Sequence, residues 1–256
     1  THPERFTPRV AARVAGTLMA MSPAIACTKC MTTDCYRATR KPKRDSPRRS
    51  HWDSNIPLPV AVQAELKFWI QFLLSLNQQG RNILASNRTP DLTIRGDGSQ
   101  YGYGGMATDK HGKRHGLMFD KWSDAETAFM SKNQYLAELL TLLKLVQANV
   151  TGQALEWTNT TIHAHVQEPF TADQLARAMH RPDASQGFHT LHFEGDNEAV
   201  MHRITNAKGS NESAGRIAKL ILFTLMASGS TLSISTVGGQ AMVSSGVDAA
   251  SRRKWA

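Results

Sequence analysis

DLTIRGDGSQYGYGGMATDKHGKRHGLMFDKW, residues 91–122, is the stretch that decides the fold. It contains three strand-like runs, 91–99, 101–109 and 113–122, with turn-forming residues between them. The turn-like sequence DKHGK, residues 109–113, connects the second run to the third. The stretch therefore predicts a sheet that begins with hairpin-connected strands.

Beyond residue 122, helix-like and strand-like segments alternate. The segment NQYLAELLTLLKLVQANV, residues 133–150, has the length and apolar spacing of a helix. The order along the chain is βββαβααβα, which predicts an α/β fold with a mixed five-stranded sheet flanked by helices. The later segments are a strand at 190–197, helices at 198–206 and 212–228, a strand at 231–239 and a terminal helix at 245–255.

Residues 151–190 fit this alternation poorly. They contain a short strand-like stretch and a segment, 171–181, that is typical of a helix with Thr171 as its N-cap. We interpret residues 151–190 as an insertion in a domain that covers residues 89–256.

The preceding region, residues 1–88, is predicted to be helical. Amphipathic segments at 8–25 and 59–80 flank a basic stretch, RATRKPKRDSPRRS, at residues 37–50. This stretch suits contacts with nucleic-acid phosphates, and the alternative is a solvated linker. Its cationic residues are Arg37, Arg40, Lys41, Lys43, Arg44, Arg48 and Arg49.

The overall charge favours a polyanionic partner. The 256 residues carry a formal net charge of +9, and the sequence pI is about 9.7. Nucleic acid is the expected partner ahead of a membrane, and an ordinary basic protein is the alternative. The longest apolar runs are too short to span a bilayer, so no membrane association is expected.

Three cysteines, Cys27, Cys30 and Cys35, lie close together in CTKCMTTDC. A zinc or iron–sulfur site there needs a fourth ligand, for which His51 or a residue of another chain is a candidate. The alternative is that these cysteines are small apolar residues after a helix. The odd number of cysteines and the lack of a secretory signal predict a reducing, intracellular compartment.

Four carboxylates fall at the starts or ends of predicted elements. Asp97 lies at the end of the first strand, Glu138 in the first turns of the first long helix, Asp196 at the end of the fourth strand and Asp248 at the start of the last helix. A mixed α/β sheet can bring them together. Converging carboxylates need cations, and two Mg²⁺ ions about 3.5–4 Å apart would satisfy them.

Four segments carry a resemblance to a known family. They are RGDGSQYGYGG at 95–105, YLAELLTL at 135–142, EGDNEAV at 194–200 and GGQAMVSSGVDAASR at 238–252. In this order they resemble the ribonuclease H domain of retroelement reverse transcriptases, with the greatest likeness to DIRS-type tyrosine-recombinase retrotransposons. Residues 1–88 resemble the thumb and connection region that precedes that domain.

The resemblance implies a ribonuclease H-like fold and a two-metal nuclease that cuts the RNA strand of an RNA–DNA hybrid. It implies that Asp97, Glu138, Asp196 and Asp248 are the metal ligands. Gly98 departs from the family, which usually has alanine there. The sequence also contains no Asp-Asp pair, the polymerase palm signature, so this chain is not a whole reverse transcriptase.

Two functional hypotheses follow. The first is an active ribonuclease H, expected in the nucleus or cytoplasm and favoured if Thr1 lies within a longer polyprotein. The second is a non-catalytic RNA-binding subunit of a ribonucleoprotein, such as an organellar (mitochondrial) ribosome, recruited from a retroelement and contacting other protein subunits. The basic stretch, the insertion and the missing polymerase favour the second hypothesis, as would a natural start at Thr1.

Overall fold

The computed structural model describes residues 6–22, 25, 28–40, 51–79, 89–130, 135–151, 190–200, 212–227 and 230–252. The chain divides into two compact units, and the boundary between them falls at Ser86 and Asn87. The interior of the predicted insertion, residues 152–189, lies outside the described residues.

The first unit is helical. Its helices are α1 (Pro8–Ala20), α2 (Thr33–Ala38), which follows a short 3-10 turn (Cys30–Thr32), and α3 (Val60–Gln79). Helix α1 begins where the Thr7 hydroxyl accepts a hydrogen bond from the Val10 N–H at 3.2 Å, with proline in the first turn. The core between these helices includes Ala15, Cys35 and Val62.

The second unit contains a five-stranded sheet in the order β3-β2-β1-β4-β5. Strands β1, β2 and β3 are antiparallel neighbours, whereas β1, β4 and β5 run parallel to one another. The predicted α/β fold with a mixed five-stranded sheet, which is the ribonuclease H-like arrangement, is confirmed. The strands are β1 (Leu92–Gly98), β2 (Gly102–Asp109), β3 (Arg114–Lys121), β4 (Thr190–Gly195) and β5 (Thr231–Thr236).

Helices cover both faces of this sheet. Gly104 and Gly105 are consecutive residues of β2 and therefore face opposite sides of the sheet. A Cβ on Gly104 would meet Val247 and Ala250, whereas one on Gly105 would meet Leu145. The helices that carry these contacts therefore lie on opposite faces. The helices are α4 (Asp124–Met130), α5 (Tyr135–Thr151), α6 (Glu212–Ala227), α7 (Gly239–Ser245) and α8 (Val247–Ser251).

The core lies between the sheet and helices α5 and α6. Alternate residues of β1 and β4 point into it, among them the fully buried Ile94 and Phe193. Helix α5 is buried almost all round because it packs against both the sheet and α6. This burial fixes the position of α5 above the ends of the central strands.

Three short helices, α2, α4 and α7, were not predicted. Helix α4 has a local signal, a capping box in which Ser123 and Glu126 exchange hydrogen bonds of 2.9 and 3.2 Å. Helix α7 ends at Gly246, whose positive φ of 81° favours glycine. Helix α2 extends to Ala38, inside the stretch 37–50 that was predicted to be a loop.

Within the described part of the chain, no helix combines the length and the apolar character that a membrane crossing needs.

Candidate metal centre

Parallel pairing of β1 with β4 brings two of the predicted carboxylates together. Arg95 lies opposite Glu194, and their side chains form an ion pair of 2.5 Å. Asp97 lies two residues after Arg95, and Asp196 lies two residues after Glu194, just past the end of β4. Because the strands run parallel, both carboxylates emerge at the same edge of the sheet.

Asp196 stands at the sharp change from strand to helix. Asn197 caps the helical turn at residues 198–200, since its side-chain oxygen accepts a hydrogen bond of 3.2 Å from the Val200 N–H. The Asp196 side chain is left exposed between the end of β4 and this turn. This placement explains why a strand ends on an acidic residue.

Glu138 reaches the same edge from α5. Helix α5 approaches β1 so closely that a Cβ on Gly98 would lie 2.5 Å from the Thr141 hydroxyl and 2.9 Å from the Ala137 carbonyl oxygen. The Gly98 N–H donates a hydrogen bond of 3.1 Å to Glu138 Oε2. The absence of a side chain at Gly98 therefore allows the helix contact that places Glu138.

Asp97, Glu138 and Asp196 form one cluster, in which each residue offers a carboxylate oxygen within 4.8 Å of the other two. Asp97 is 7% exposed and Glu138 only 3% exposed. Glu138 Oε1 is buried and has no hydrogen-bond partner among the described residues. A buried carboxylate oxygen without a donor is costly, so this atom is open to a ligand that the described residues do not provide.

The electrostatics of the cluster disfavour three negative charges. Burial raises the pKa of Glu138 to about 8, and Asp97 and Asp196 add to the shift, while the Gly98 N–H opposes it. Burial also raises the pKa of Asp97, against the opposing hydrogen bond from Ser251. Both shifts follow first from burial, and repulsion between the carboxylates adds to them, while the charge of Arg252 opposes the shift of Asp97.

The donor set fits a hard divalent cation such as Mg²⁺, which prefers carboxylate oxygens. The buried Glu138 oxygen without a partner is a second observation, independent of the acidic residues simply being close. Among the described residues, no other group of three or more acidic, histidine or cysteine side chains lies close enough together to share an ion. Asp97, Glu138 and Asp196 are the residues that would hold it.

Asp248, the fourth predicted ligand, does not belong to this trio. It lies in the first turn of α8, and one of its oxygens accepts a hydrogen bond of 2.7 Å from Arg252 Nε. Its charge still contributes to the raised pKa of Asp97, so it lies near the cluster. Its role as a metal ligand stays a prediction.

Ser251, in the same helix, was not predicted as a functional residue. Its hydroxyl donates a hydrogen bond of 2.5 Å to Asp97 Oδ2. The signal was present, because Ser251 is part of the Asp-x-x-Ser-Arg sequence that closes the motif at residues 238–252.

The other predicted sites belong to the first unit. Arg37 lies in α2 and forms an ion pair of 2.7 Å with Asp34, while Arg40 is exposed. Cys35 is fully buried in the core of the first unit. The remaining predicted residues lie outside the described residues or have side chains that do: Cys27, Cys30, Lys41, Lys43, Arg44, Arg48 and Arg49.

Comparisons with known proteins add little to this geometry. No protein-family profile matches the chain, and no curated protein matches it. Among solved structures, the chain is similar to RNase H1 from the halophilic archaeon Halobacterium salinarum NRC-1, with 16% sequence identity and a TM-score of 0.36. The match covers 62% of this chain and 91% of that one. Function is therefore inferred from the carboxylate cluster and the sequence motifs.

Proposed function

We propose that this chain is a retroelement-type ribonuclease H that uses divalent metal ions to hydrolyse the RNA strand of an RNA–DNA hybrid. The observation that carries the proposal is Glu138, a buried carboxylate held against Asp97 and Asp196, with one oxygen that has no partner among the described residues. Such an arrangement is costly for the fold alone, whereas a bound cation would neutralise it. The order of the four sequence motifs supports the same chemistry.

Each residue of the cluster has a distinct part in this proposal. Asp97 and Glu138 are fixed by buried hydrogen bonds, from Ser251 and from the Gly98 N–H, and they provide a rigid pair of ligands. Asp196 is exposed and faces the side from which substrate arrives. A pair of divalent ions in such a site activates a water molecule and stabilises the leaving oxygen of a phosphodiester.

The net charge of +9 supports a nucleic-acid substrate, because a basic protein is attracted to the phosphate backbone. Asp248 is proposed as a further ligand through the carboxylate oxygen that Arg252 Nε does not engage. We propose Mg²⁺ as the physiological ion.

The test is cleavage of a hybrid with a labelled RNA strand, in Mg²⁺ and in Mn²⁺, beside duplex DNA and duplex RNA of the same sequence. The wild-type chain is expected to cut only the RNA of the hybrid, and Asp196→Asn to be inactive. Asp120→Asn is the matched control, since Asp120 is an exposed acid of β3 outside the cluster. It should cut like the wild type.

A folded wild-type chain that binds RNA but never cuts would contradict the proposal. That result favours the second hypothesis, a non-catalytic RNA-binding subunit of a ribonucleoprotein.

A further inference from the structure

The Ser251 hydroxyl has one hydrogen-bond acceptor inside its own helix and another outside it. Its hydroxyl lies 2.9 Å from the Asp248 carbonyl oxygen, three residues back, an acceptor that often satisfies a helical serine. The same hydroxyl nevertheless lies 2.5 Å from Asp97 Oδ2, on a strand 154 residues away in the sequence. Asp97 therefore has a buried donor that comes from a different element.

This donor is held firmly. Ser251 is fully buried, and its carbonyl oxygen accepts a hydrogen bond from the Ser99 hydroxyl. The Ser99 oxygen in turn accepts hydrogen bonds from the N–H groups of Tyr101 at 3.0 Å and Gly102 at 3.3 Å. These bonds tie the end of α8 to the turn between β1 and β2.

Close packing adds to the constraint. Helix α8 lies against β2 at Gly104, where a Cβ would be only 2.9 Å from the Ser251 nitrogen. Because Gly104 pairs with Asp97 across the two strands, the helix, the glycine and the carboxylate form one rigid contact. The backbone of Ser251 therefore cannot move away from Asp97 without moving α8.

We propose that Ser251 is a positioning residue of the metal centre. By engaging Oδ2 it fixes the Asp97 carboxylate in one orientation and leaves the other oxygen for the cation shared with Glu138 and Asp196. The proposal rests on the proposed metal-dependent function. Hydrogen-bond partners that orient metal ligands typically affect metal affinity by about 10- to 100-fold.

The test is titration of the full chain with Mn²⁺, followed by electron paramagnetic resonance of the free ion. Ser251→Ala should weaken Mn²⁺ binding about tenfold or more. The matched control is Ser245→Ala in the neighbouring helix α7. Among the residues that the structure describes, the Ser245 hydroxyl bonds only the Met242 carbonyl oxygen, at 2.9 Å. This variant should bind Mn²⁺ like the wild type.

Two further variants separate positioning from folding. Ser251→Thr keeps a hydroxyl and is expected to bind Mn²⁺ more tightly than Ser251→Ala. If Ser251→Ala does not fold, Ser251→Cys, which has nearly the same shape and a weak donor, takes its place. Its Mn²⁺ affinity should fall in the same way.

The outcomes are distinct. Unchanged Mn²⁺ affinity in a folded Ser251→Ala chain, even with a lower unfolding midpoint, would show a structural role only and overturn the proposal. A wild type that binds Mn²⁺ but cuts no hybrid would overturn the nuclease and leave the role of Ser251 intact. A wild type that binds no Mn²⁺ overturns both.

Discussion

Glu65 and Glu138 are buried glutamates in different units of the chain, 1% and 3% exposed. The Glu65 carboxylate, in α3, accepts hydrogen bonds from the N–H groups of Asp34, at 3.0 Å, and Cys35, at 2.9 Å, which begin helix α2. Glu138 accepts one hydrogen bond from Gly98, and its second oxygen has no partner among the described residues. The two glutamates are therefore similarly buried but differ in how many of their carboxylate oxygens accept hydrogen bonds.

A third buried glutamate sharpens the contrast. Glu126 lies 2.7 Å from the ammonium of Lys144, which is itself nearly buried and lies over the rings of Tyr103 and Trp122. Glu65 is thus compensated by backbone donors. Glu126 accepts a hydrogen bond from the Ser123 N–H at Oε2, and the charge of Lys144 compensates Oε1, which has no hydrogen bond among the described residues. Glu138 instead lies beside two more carboxylates, the surroundings expected of a residue that binds a cation.

The largest expected effect is a dependence of stability on pH. Without metal, the free energy of unfolding should fall as the pH rises from about 4.5 to about 8, because Glu138 ionises at its usual value of 4.5 when unfolded and at about 8 when folded. The fall should amount to a few kcal/mol. Urea unfolding in EDTA, at pH values across this range, measures it.

Glu138→Gln is the control for this slope, since it removes the titrating group and should flatten the fall. Equal slopes in the variant and the wild type would show that Glu138 is not the source of the pH dependence.

The second effect concerns the compensated glutamate. Glu65→Ala should lower the free energy of unfolding by about 3 kcal/mol, because it leaves the N–H groups at the start of α2 without an acceptor in a buried site. Urea unfolding at pH 7, followed by circular dichroism, measures the loss. A loss below about 0.5 kcal/mol, the range typical of surface substitutions, would remove the contrast between the two glutamates.

The third effect tests the close approach that places Glu138. Gly98→Ala should cost about 2 kcal/mol and weaken Mg²⁺ binding, because the new methyl group overlaps Thr141 and the Ala137 carbonyl. Gly239→Ala is a matched control, since its Cβ would meet nothing closer than Asp196 Oδ2, at 3.9 Å. Calorimetric Mg²⁺ titration and urea unfolding compare the two, and equal behaviour would contradict the assigned role of Gly98.

The smallest effect concerns Asp248. Because this residue is bound to Arg252 outside the trio, Asp248→Asn should slow hybrid cleavage by about tenfold, or about 1.4 kcal/mol. The loss in Asp196→Asn should be much larger. Single-turnover cleavage rates compare them, and an equal loss in both variants would place Asp248 fully within the centre.

The sheet was predictable because its information is local. Strand-like runs and turn residues mark β1, β2 and β3, and a strand followed at once by a helix marks Asp196 as the end of β4. Asp97 and Asp196 could be paired in advance, because the ends of neighbouring parallel strands meet at one edge. Glu138 followed from its place in the first turns of a long apolar helix.

The rest depends on contacts between residues that are distant in the sequence. Short helices gain little stability from their own sequence, so α2 depends on Glu65, about 30 residues away, for its N-terminal hydrogen bonds. The hydrogen bond from Ser251 to Asp97 joins the last described helix to the first strand. The Glu65 contact has no signal in sequence spacing, and the Ser251 contact is marked only by the motif at residues 238–252. The ion pair of Asp248 with Arg252, by contrast, has the i, i+4 spacing typical of a helical ion pair.

The most direct test of the central claim is thermal unfolding of the metal-free chain at pH 8 with increasing Mg²⁺. If Glu138 is buried to hold a cation, the wild-type unfolding temperature should rise with Mg²⁺, because ligand at about 100 times its dissociation constant adds about 2.7 kcal/mol. Glu138→Gln should not respond, while Asp120→Asn should respond like the wild type. An unfolding temperature that ignores Mg²⁺ in the wild type, or rises equally in Glu138→Gln, would contradict the account.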